Sequence, residues 1–196
     1  SSGVYGQRFA ATGSKIPPEF RANVFTANAQ SAPAVAALKS GRWVAVWQSS
    51  GQDLSGTGVY GRIYAADGTA GPTFRVNVVT SGNQGRPAVA GLTNGGFVVA
   101  FATDAIASAK SALLMRRFDA NGVALASEVR VDVGTGQAHL PSVAGLSDGG
   151  YVVVWRQADA AVTASSIRQQ RYSAAGAKIG GTTTVNTDTT RFKSDP

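Results

Sequence analysis

Cysteine is absent from this 196-residue chain, and that gap removes a disulfide framework, a thiolate metal site and a cysteine nucleophile together. The fold must be held by packing and hydrogen bonds. Histidine occurs once, at His139, which excludes a multi-histidine metal site and leaves one candidate for a histidine-based triad. Leu, Glu and Lys, the usual builders of long helices, are sparse beside Val, Ala, Thr and Ser, so long helices are disfavoured. No run approaches the roughly 20 apolar residues of a membrane-spanning helix, and the opening Ser1-Ser2-Gly3 lacks the basic and apolar regions of a signal peptide. Acidic residues are also few: 11 Asp and Glu against 18 Lys and Arg leave a formal charge of +7. That charge favours acidic partners, but the bases are dispersed, so no specific nucleic-acid partner is expected.

Glycine, by contrast, is plentiful at 24 residues, and it recurs on a period of about 54 residues. Phe9, Tyr64, Phe118 and Tyr172 end four related segments, and Gly13, Gly68, Gly122 and Gly176 follow each of them four residues later. Stretches such as Asp119-Ala120-Asn121-Gly122 supply the positive φ of a tight turn. A second segment then ends in Asn23, Asn77, Asp132 or Asn186. Pro33, Pro87 and Pro141 begin near-identical Pro-x-Val-Ala-x-Leu pieces, which run through a Gly turn into apolar strands ending at Trp47, Phe101 and Trp155. These last strands should be the most buried.

Four short strands per unit predict an all-β fold of repeated four-stranded antiparallel units, β-propeller-like, with a β-sandwich as the alternative. The units fall at approximately 4–57, 58–112 and 113–166, with a partial unit at 167–190 and a tail at 191–196, all in one repeat array. Fourteen strands make about three and a half blades. That count implies a piece of a longer array, two chains completing a ring, or units stacked linearly.

The combination Gly-Val-Tyr-Gly-Gln-Arg-Phe, Phe-Arg-Val-Asn, Pro-x-Val-Ala-x-Leu and Asp-Gly-Gly-Tyr-Val-Val-Val-Trp resembles a repeat of large secreted bacterial surface proteins of the calcium-binding, haemolysin-like or adhesin type. The resemblance spans nearly the whole chain. It implies export or a cell-surface place and service as a spacer or binding unit, and it carries over no catalytic residue. The Asp-rich loops and acidic balance usual in that group are missing here, which argues against calcium, and no cofactor is expected. The turn Ser147-Asp148-Gly149-Gly150-Tyr151 is also similar to Asp-containing hairpins of sialidase-type propellers, a structural feature rather than an activity.

Asp53 stands alone in its loop, and the matching loops around Asp104 and Asp159 are Ala/Ser-rich, so no calcium-ligand density arises. Asp67, Asp119 and Asp148 sit beside Gly, where Asp caps its own turn. His139 reads as a loop or packing residue, because no nucleophile partner is identifiable. Trp47, Phe101 and Trp155 read as packing rather than a sugar platform. Arg8, Arg62, Arg116, Arg117 and Arg171 form a ladder that would attract phosphate, sulfate or uronate groups, or else a solvated outer face; Arg21, Arg75 and Arg130 recur behind it. Asn23, Asn77, Asp132 and Asn186, with Gln30, Gln84 and Gln137, cap turns or form repeated carbohydrate pockets.

With no unique polar cluster in view, the sequence predicts a non-catalytic extracellular structural or adhesive module and no enzyme activity. Its partners would be further copies, neighbouring repeats of a longer chain, or an extracellular polysaccharide. A lectin-like module for anionic polysaccharide is the alternative. A propeller hydrolase or lyase ranks third, because it would require unique charged residues that the even spacing leaves little room to insert.

Overall fold

The computed structural model describes residues 2–105, 111–132, 136–159, 161 and 164–187. The described residues form fourteen strands in four antiparallel sheets. The first sheet has two strands, β1 (Tyr5–Phe9) and β2 (Lys15–Arg21). Three four-stranded sheets follow, each in sequence order. They comprise β3 (Gln30–Ala37), β4 (Trp43–Ser50), β5 (Thr57–Tyr64) and β6 (Ala70–Arg75); β7 (Gln84–Gly91), β8 (Phe97–Thr103), β9 (Ala112–Phe118) and β10 (Val129–Arg130); and β11 (Ala138–Gly145), β12 (Tyr151–Ala158), β13 (Ser165–Tyr172) and β14 (Lys178–Thr184). A repeat has no intrinsic origin, and the sheets run two strands out of phase with units counted from residue 4. The tail at 191–196 lies outside the described residues.

The hairpins form where the sequence places its turn residues. In the β9–β10 connection, Asp119 Oδ1 accepts the Asn121 and Val123 N–H groups, each at 2.8 Å, while Gly122 takes φ +84°. A side chain there would be driven into the left-handed region at a cost that glycine avoids.

Burial follows the β-branched and aromatic content. In the four-stranded sheets the second and third strands hold most of the buried residues, and Trp47, Phe101 and Trp155 on the second strands are fully buried. Each four-stranded sheet also stacks one aromatic pair across its second and third strands: Trp43 on Tyr64 at 3.9 Å, Phe97 on Phe118 at 5.0 Å and Tyr151 on Tyr172 at 5.1 Å. The apolar clusters lie between sheets. One joins Val44, Val46 and Ile63 to Phe97, Val99 and Phe101; the next joins Val98, Ala100 and Met115 to Tyr151, Val153 and Trp155.

The first strands of the sheets meet at the centre, β3 against β7 and β7 against β11. Glycine permits this approach. A Cβ at Gly91 would stand 2.1 Å from the Ala37 carbonyl oxygen, and one at Gly145 only 2.3 Å from that of Gly91. The result is the propeller-like architecture expected from the period, with three full blades and a two-stranded half blade; among the described residues no sheet closes on itself. On the half blade, Tyr5 and Phe9 are more than half exposed, and a cavity of about 380 Å³ lies between Phe20 and the Val35 and Trp43 side of the next blade.

Candidate functional site at the axial cleft

Each inner strand is broken at the same place by an irregularity just before its proline. The register shifts between Ser31 and Ala34, between Gly85 and Ala88, and between His139 and Ser142. Ala32, Arg86 and Leu140 take φ of 49°, 52° and 54° there, a conformation that non-glycine residues seldom adopt. The backbone is thus repeated, but the side chains are not. The positions before the irregularity hold Ser31, Gly85 and His139, and their partners across the ladder are Gln48, Ala102 and Arg156.

This unlikeness shapes a cleft of about 300 Å³ at the junction of the three full blades, lined by Gln48, Gly85, Arg86, Ala102, Asp104 and His139, among others. Between the first two blades, Gln48 reaches over the bare backbone of Gly85, where a Cβ would stand 2.1 Å from its Oε1. Its Oε1 also accepts the Arg86 N–H at 3.3 Å. Between the second and third blades the sizes are exchanged. Small Ala102 stands at the Gln48 position and His139 at the Gly85 position, so an imidazole replaces the amide.

The cleft lining carries one guanidinium, Arg86, and one carboxylate, Asp104. Half-buried His139 is held below its ordinary pKa by burial first, then by Arg156 and Arg86, so its imidazole is neutral at neutral pH. Asp104, a carboxylate of the lining, accepts the Asn83 N–H at 2.6 Å on one oxygen and the Asn83 side-chain amide at 2.8 Å on the other. These bonds hold it below the usual carboxylate range, ionised and already engaged. Ser111, also in the lining, donates its hydroxyl to the Ala138 carbonyl at 2.9 Å. No group of three metal-ligating side chains exists among the described residues.

The five arginines singled out from sequence do not share one site. Arg62 and Arg116, at equivalent positions, each bond a carbonyl across their own hairpin, Gly71 and Ala126, and one on the preceding sheet, Ala22 and Val76. Arg8 and Arg117 reach forward to the carbonyls of Ala66 and Ala174 in the next sheet. Arg171 pairs with Asp148. Of the second set, Arg75 bonds the Asn77 carbonyl and Arg130 pairs with Asp132.

The recurring amides form internal clasps. Asn23, Asn77, Asp132 and Asn186 each accept, on a side-chain oxygen, the N–H of Val4, Val59, Leu113 or Ile167, closing the base of a hairpin. Asn23 and Asn77 also donate to Gln30 and Gln84 at the start of the next sheet, at 3.0 and 3.1 Å. In the third copy β11 begins with Ala138 rather than Gln137 at that position, and Asp132 is bound by Arg130 instead. Asp67 and Asp148 cap their turns through the N–H groups of Thr69 and Gly150. Asp53 meets the Asn77 amide at 3.3 Å. Asp159 follows β12 at the start of the β12–β13 connection, exposed.

Sequence reasoning missed Arg86, and it read His139 as a loop or packing residue; His139 lies half-buried on β11. The available signal was the row Ser31, Gly85, His139 against Gln48, Ala102, Arg156: equivalent positions where the copies disagree.

No family model and no curated protein matches the chain. Solved structures do match it. An endo-arabinase from Bacteroides thetaiotaomicron VPI-5482 aligns with 89% of this chain and 70% of its own at 13% identity and a TM-score of 0.57. The Hadza microbial sialidase Hz136 aligns with 73% of this chain at 15% identity and a TM-score of 0.55. The chain spans 35% of that sialidase's length. At such identity the likeness shows the fold. It nonetheless corrects the reading of the chain as a non-catalytic adhesive module without enzyme activity, because the architecture it shares is that of proteins named as glycan-directed enzymes. The physical premise of that reading also fails: unique charged residues need no insertion when they replace their counterparts at equivalent positions.

Proposed function

We propose that the chain is the glycan-facing part of a carbohydrate-active β-propeller that acts outside the cell, and that the axial cleft over β7 and β11 binds an acidic polysaccharide for cleavage. One observation carries this reading. Where the three copies disagree, they place Arg86 and His139 at one opening, and the Asp104 carboxylate beside them is engaged by Asn83. Guanidiniums favour carboxylate and sulfate groups through paired, charge-assisted hydrogen bonds. The names of the structural neighbours support a glycan, and the exposed Arg86 guanidinium, beside a carboxylate already engaged by Asn83, supports an acidic one.

The test is calorimetric titration with polygalacturonate and with neutral arabinan, at low and at high salt. Binding of polygalacturonate that weakens as salt rises, and that falls roughly tenfold or more in Arg86→Ala, is expected from an exposed guanidinium contact. Equal binding of arabinan, or none of polygalacturonate, would overturn the assignment.

A further inference from the structure

Resting on that reading of the cleft, we propose that it cleaves uronate-containing glycans by β-elimination, with His139 as the base and Arg86 as the group that neutralises the uronate carboxylate.

Hydrolysis of a glycosidic bond ordinarily calls for two carboxylates facing each other across it. Asp104 is a poor member of such a pair, since both of its oxygens already accept bonds from Asn83. The groups present suit a different bond. In a uronate the C5 hydrogen lies next to the carboxylate, and it becomes acidic once the carboxylate's charge is balanced by a cation. Arg86 is exposed in the cleft, its backbone fixed by the irregularity before Pro87, and its guanidinium acts on His139. Arg156 stands directly across the ladder from His139. One guanidinium, that of Arg86, therefore shares the cleft with the His139 imidazole, which is unprotonated at neutral pH, as a general base must be.

The atoms balance without an oxidant or a second reactant. The imidazole takes the C5 proton, and the C5–H electron pair becomes the C4=C5 double bond. The C4–O bond breaks, and its oxygen leaves with the preceding sugar. The imidazolium then returns its proton to that oxygen, which restores the base. The products are a fragment with a new reducing end and a fragment with an unsaturated uronate at its non-reducing end.

The experiment incubates the chain with polygalacturonate, hyaluronan and alginate, and follows the ultraviolet absorbance of the conjugated double bond together with product masses. Expected are products short by one water relative to hydrolysis, and a loss of roughly 10²-fold or more in His139→Gln, the scale of a general base. The rate should also fall as pH drops through the titration of the imidazole, whose charged neighbours are Arg86, Arg156 and Asp104. A double variant, A102Q with H139G, recreates the Gln48 and Gly85 pairing of the neighbouring junction. It should keep its Tm and lose elimination, which separates chemistry from folding. New reducing ends without unsaturation would overturn elimination and leave the glycan-cleaving assignment standing. Binding without cleavage would overturn elimination and reduce the cleft to a lectin. No binding and no product on any of the three would overturn both.

Discussion

Asn77 shows what the recurring polar residues do. It is 1% exposed, accepts the Val59 N–H at 2.8 Å and donates to Gln84 and to the Val79 carbonyl. Asn77→Ala would leave a buried backbone N–H and a buried glutamine oxygen without that partner, at a cost of about 1–3 kcal/mol each before relaxation. Urea unfolding should show the loss, whereas exposed Asn121→Ala should change little. The sequence displayed the periodic amides but not whether they faced solvent or the joint between blades, because both uses repeat with the fold. His139 carries a second residue-scale prediction. Its pKa is lowered by folding, so the unfolded chain binds the extra proton, and the folded state loses stability as pH falls below the ordinary value of 6.5. In His139→Gln, that part of the Tm decline between neutral and mildly acidic pH should disappear.

Among elements, the inner strands were the most legible in their pattern and the least legible in their function. The Pro-x-Val-Ala-x-Leu recurrence announced three equivalent strands, and they stand side by side at the axis. The glycine at Gly91 and Gly145 is a packing requirement that a single copy does not reveal, since its cause is the carbonyl of the neighbouring blade. Gly91→Ala should cost about 1–3 kcal/mol by overpacking, and thermal unfolding would register it as a lowered Tm, while Gly181→Ala, which meets nothing within 4 Å, should not. The irregularity before each proline was invisible to pattern reading. Alternation and period locate a strand, but a one-residue shift in pairing is set by the partner strand, and it is this shift that presents Arg86 and His139 at one opening.

At the scale of the whole molecule, a repeat gives every blade the same scaffold and leaves chemistry to the few positions where copies differ. Reading the period alone therefore points to a uniform spacer. Reading the disagreements within the period points to one cleft, where Gln48 over Gly85 becomes Ala102 beside His139. The blade count was legible because turns and apolar strands recur at fixed spacing. The site was not, because its members lie on β4, β5, β7, β8 and β11 and meet only when three blades gather around an axis.

The most direct test of this account is calorimetric titration of an acidic oligogalacturonate into the wild-type chain and into the variant carrying both A102Q and H139G, with Tm measured for each. The account predicts salt-sensitive binding by the wild type, and a variant that melts at the same temperature but binds at least tenfold more weakly. Undiminished binding by a fully folded variant would contradict it and place any glycan site elsewhere on the propeller.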